Sequence, residues 1–150
     1  MQTLAFIAFL LGVVFYTASA TLFFAEIAKQ NAGTSAVRWA PSALGWGTVV
    51  HALHLVLSSL VTHTCPVGSV PFALSLSALM TNCAYLLMRE RAGITAMGVV
   101  VAPLALMFLL GEQFVGESSG QTEVPRLLLA LHVTANILGA GLFVLAGVVG

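Results

Sequence analysis

"TLAFIAFLLGVVFYTASATLFFAEIA", residues 3–28, carries no charged side chain before Glu26. A helix needs about 20 predominantly apolar residues to cross the hydrocarbon core of a bilayer, and this stretch exceeds that length. It reads as a transmembrane helix and not as a cleaved leader. The small residues of "TASAT", Thr17 to Thr21, would suit a signal peptidase. No Lys or Arg precedes the run, however, and apolar sequence continues through "TLFFAEIA" past the supposed cut.

The rest of the chain repeats the pattern. Of its 150 residues 59% are hydrophobic and 7% charged, and the mean hydropathy is +1.05. Such values belong to integral membrane proteins. Five basic and five acidic side chains cancel, which leaves no basic face for nucleic acid. Apolar runs at 3–28, 43–62, 70–88, 94–110 and 127–150 predict an all-α, polytopic bundle of about five transmembrane helices in a single domain, residues 1–150. Pro103 falls inside the shortest run and predicts a kink there.

Lys29 and Arg38 lie between the first and second runs and Arg89 and Arg91 between the third and fourth, against Arg126 alone on the other side. Basic loops stay in the cytoplasm, so the amino terminus is expected outside. "VTHTCPVGS" and "GEQFVGESSGQTEVPR" then become extracytoplasmic turns. The last run reaches Gly150 without a polar or basic flank, so the chain is expected to be part of a larger protein.

Ionisable groups inside membrane helices are costly, and function concentrates on them. Glu26 and Lys29 are three residues apart and suit an interfacial ion pair. His51 and His54, in "WGTVVHALHLVLSS", share one helix face near mid-membrane. They could form a cofactor pocket for haem or a transition metal, or hydrogen-bond to Ser, Thr or Asn side chains of neighbouring helices. No carboxylate on their own run completes a zinc site. If they lined a pore they would need partners from other subunits.

His63 and Cys65 do not by themselves close a coordination sphere. Cys83 falls about 20 Å along the third run, whereas bridged α carbons lie within about 7 Å. Both thiols are expected free.

In the last run, "RLLLALHVTANILGAGLF", His132 is followed by Asn136 and Gly139 on one face. His132 lies about 9 Å below Arg126, near the outer interface. This polar and small stripe would serve either haem or metal ligation or helix packing. Ser75, Ser77, Thr81 and Asn82 complete the polar inventory of the third run without a base and carboxylate in register for a nucleophile. Asp is absent, as are phosphate-binding glycine patterns. An enzyme with side-chain acid and base catalysis is not indicated.

The order "WGTVVHALHLVLSSLV", "SVPFALSLSALMTNCAYLLMRERAG", "MGVVVAPLALMFLL", "PRLLLALHVTANILGAGLFVLAGVV" resembles the amino-terminal helices of the cytochrome c assembly protein family. That family includes CcsA- and ResC-type haem-handling proteins and the HemX- and YpjD-like membrane proteins. The specific points are a histidine in the second run, a proline in the fourth, and "LLLALHV" opening the fifth. The resemblance implies a multi-pass protein of the inner (plasma) membrane that brings haem to the outer face for attachment to apocytochrome c. It implies His132 as an axial haem ligand and matches His51 to the second-helix histidine of the HemX- and YpjD-like branch. His54 and Asn136, on the faces of His51 and His132, are further cofactor-binding candidates by spacing. The implied partners are the lipid bilayer, haem and other cytochrome c assembly membrane proteins.

The family's tryptophan-rich outer segment does not occur in the chain, and the resemblance places it beyond Gly150. Gly139 and Ala140 stand where assembly proteins commonly have Ser-Tyr, which shifts weight toward the HemX- and YpjD-like branch. There the protein would supply or regulate haem, and a lyase activity would require the missing carboxy-terminal half.

Overall fold

The computed structural model describes residues 1–28, 36–63, 70–92, 95–114 and 139. Within them the chain is all-helical: α1 Gln2–Ala28, α2 Ala36–Thr62, α3 Val70–Ala92, a 3₁₀ turn Thr95–Met97, and α4 Gly98–Phe114. Three of the helices are long and apolar enough to cross a membrane, and α4, with 17 residues, is shorter. The fifth apolar run lies outside the described residues except for Gly139, and with it His132 and Asn136.

Each helix packs on its neighbours in chain order and α4 returns to α1, giving an up-down-up-down bundle. Residue pairs fix the antiparallel sense. His54 meets Ala5 and Ser19 meets Ala40 across α1 and α2, while Phe23 packs over Gly98 across α1 and α4. The end where α1 begins is called the upper end below.

Buried positions on α1 are Ala5, Ala8, Phe9, Gly12, Tyr16, Ser19 and Phe23, separated by three or four residues as one helical face requires. Phe6, Leu10, Val14 and Phe24 point outward and are exposed. The bundle therefore hides polar and small residues together with a few aromatic ones and leaves many large apolar side chains on its outer surface, unlike a water-soluble bundle. α2 repeats the arrangement: Thr48, His51 and His54 are buried, whereas Trp46, Val49, Leu53 and Val56 are exposed.

Three helices differ from the sequence expectation: α3 continues past 88 through Arg89, Glu90 and Arg91 to Ala92, and the limits of α2 and α4 are displaced. α2 begins at Ala36, ahead of the expected 43, because Ala40 is wholly buried and its carbonyl accepts the Ser19 hydroxyl at 2.9 Å. α4 runs from Gly98 to Phe114, through Pro103, where 94–110 was expected. Gly111, Glu112 and Gln113 thus belong to the helix, and the assignment of "GEQ" to an extracytoplasmic turn is corrected. α2 ends at Thr62, and His63 after it, with a φ of 52°, takes the left-handed conformation that stops a helix.

Candidate functional site

The upper half of the bundle encloses a chain of polar side chains drawn from all four helices. It starts on α1 at Tyr16, which is fully buried. Gly47 on α2 makes that position accessible to the ring: a Cβ at residue 47 would stand 2.7 Å from Tyr16 Cδ1, closer than real contacts allow. The ring lies against the α2 backbone, one turn from His51, and its hydroxyl is 3.0 Å from His51 Nδ1. Asn82 on α3 donates from Nδ2 to the same phenolic oxygen at 2.9 Å.

On its other side His51 Nε2 is 3.1 Å from Ser75 Oγ, and Ser75 donates to Glu112 Oε2 on α4. The second carboxylate oxygen, Oε1, faces His54 Nε2 at 3.5 Å. This separation is an ion-pair contact, not a hydrogen bond. His54 Nδ1 donates to the Ala5 carbonyl at 2.8 Å, with Ser58 Oγ at 3.4 Å, and Phe9 packs on the ring at 5.6 Å between centroids. The side chains of His54 and Glu112 are 4% and 7% exposed. Burying such groups is costly, and their proximity offsets that cost only in part, since His54 Nε2 has no hydrogen-bond partner.

The available donors assign the protons. Asn82 can only give a proton to Tyr16 through its NH₂, which leaves the phenol free to donate to His51 Nδ1. His51 is then the neutral Nε2–H tautomer and donates to Ser75, whose hydroxyl donates to the carboxylate. Every bond from Asn82 to Glu112 points the same way, and hydrogen bonds aligned in this manner reinforce one another. At the far end the carbonyl of Ala5 requires a proton on His54 Nδ1, so Nε2 is the atom turned toward Glu112.

The structure brings His51 and His54 together on one inner face and gives them partners from the same chain. Ser75 is joined to both a histidine and a carboxylate, a contact with no signal in the sequence. It is not an exposed nucleophile: Ser75 is 0% exposed, and its own proton goes to Glu112. Glu112 and Tyr16 were not singled out from sequence. The signal for Tyr16 is its place seven residues from both Phe9 and Phe23; for Glu112 it is the continuation of the buried series Val101, Ala105, Leu109.

For haem or a metal ion the described histidines are poorly placed. Both ring nitrogens of His51 are engaged within the bundle, and the free ring nitrogen of His54 is held against Glu112. Among the described residues no group of three His, Cys, Asp or Glu side chains is placed to hold a metal ion. His63 lies at the exposed end of α2, Cys65 falls outside the described residues, and Cys83 is free and exposed. Lys29, the expected partner of Glu26, is likewise outside the described residues.

Comparison of the chain with protein-family models, with characterised proteins and with solved structures finds no match.

Proposed function

We propose that this protein handles haem in cytochrome c biogenesis, receiving or delivering it at the outer face of the plasma membrane. In this reading it is a multi-pass protein of about five spans with its amino terminus outside. His132 is the axial ligand, Asn136 lies one turn away on the same face, and neighbouring assembly proteins and apocytochrome c are the partners. What carries the reading is the resemblance over the four later apolar runs, above all "LLLALHV" around His132. The bonds at both nitrogens of His51 make it a poor iron ligand, which supports looking to His132 in this reading. Haem would supply the iron chemistry, and the bundle would serve as the frame that holds the last segment.

The test is an absorption spectrum of the detergent-purified protein, oxidised and reduced, beside His132→Ala and His51→Ala. A Soret band that weakens or shifts with His132→Ala and persists with His51→Ala is the expected result. Wild-type protein that takes up no haem when supplied with it would overturn the reading. A second reading is favoured by the engagement of both described intramembrane histidines inside the bundle. In it the protein is a non-catalytic membrane subunit or regulator of haem supply, HemX- or YpjD-like, and ligates no haem itself. Absence of the Soret band together with retained helical content would select it.

A further inference from the structure

We draw no further inference here: the strongest candidate, the outer face of α2 on which Trp39, Trp46, Leu53 and Leu60 lie exposed at seven-residue spacing, is an apolar surface, and nothing in the structure shows what covers it.

Discussion

The two halves of the bundle are built on different principles. In the lower half Phe23 lies over Gly98 and meets Tyr85 edge-on at 6.2 Å, with Ala40, Leu44, Met97 and Val101 around them. In the upper half His51, His54, Ser75 and Glu112 occupy the corresponding interior. Apolar packing is forgiving about which atom touches which, whereas the polar half works only if every donor finds its acceptor. The lower half thus closes the bundle by apolar packing, and the upper half holds its buried titratable groups, Tyr16, His51, His54 and Glu112.

The sharpest way to break that contrast is Glu112→Ala. It strips the acceptor from Ser75 and the counter-charge from His54, and removing one member of a buried pair should cost about 3 kcal/mol. Unfolding in mixed detergent and SDS micelles measures it, and a loss below that of the packing variants would mean the polar half is only lightly coupled.

Gly98→Val comes next. Its side chain would enter the space of the Phe23 ring, which is 1% exposed, and overpacking of this kind should cost about 2 kcal/mol by the same assay. Tyr16→Phe keeps the ring over Gly47 and deletes only the hydroxyl, leaving His51 Nδ1 and Asn82 Nδ2 without it. Hydrogen bonds inside membrane bundles are modest, so a loss of about 1 kcal/mol is expected. A change in the ¹⁵N shift of His51 should accompany it and would localise the effect. Smallest of all is Val14→Ala on the exposed face of α1; melting should stay within about 0.5 kcal/mol of wild type. A larger shift would indicate that this face is covered by another helix.

α1 could be read from the sequence because its apolar run is long and ends where charge resumes; the start of α3 could be read too, but not its end, since the helix continues through Arg89, Glu90 and Arg91 to Ala92. The start of α2 could not, since Arg38 and Pro41 interrupt the hydropathy there while the contact that extends the helix comes from Ser19, far away in sequence. α4 was placed four residues too early for a related reason. A carboxylate lowers the average hydropathy of any window that contains it, so Glu112 looked like the beginning of a loop. Its helical spacing from Leu109 and Ala105 pointed the other way. Of the candidate site, the shared face of His51 and His54 was legible from their spacing of three residues. Which groups they meet was not, because Tyr16, Ser75 and Glu112 are joined to them by helix arrangement and not by any local pattern.

The partners of Glu112 also have an order in time. Ala5, His54 and Ser75 all precede it in the chain, and synthesis delivers segments from the amino terminus. By the time the carboxylate leaves the ribosome, the imidazole and hydroxyl that receive it are already made. The most awkward residue of the described bundle is thus delivered to a prepared berth, and α4 joins three helices that precede it in the chain.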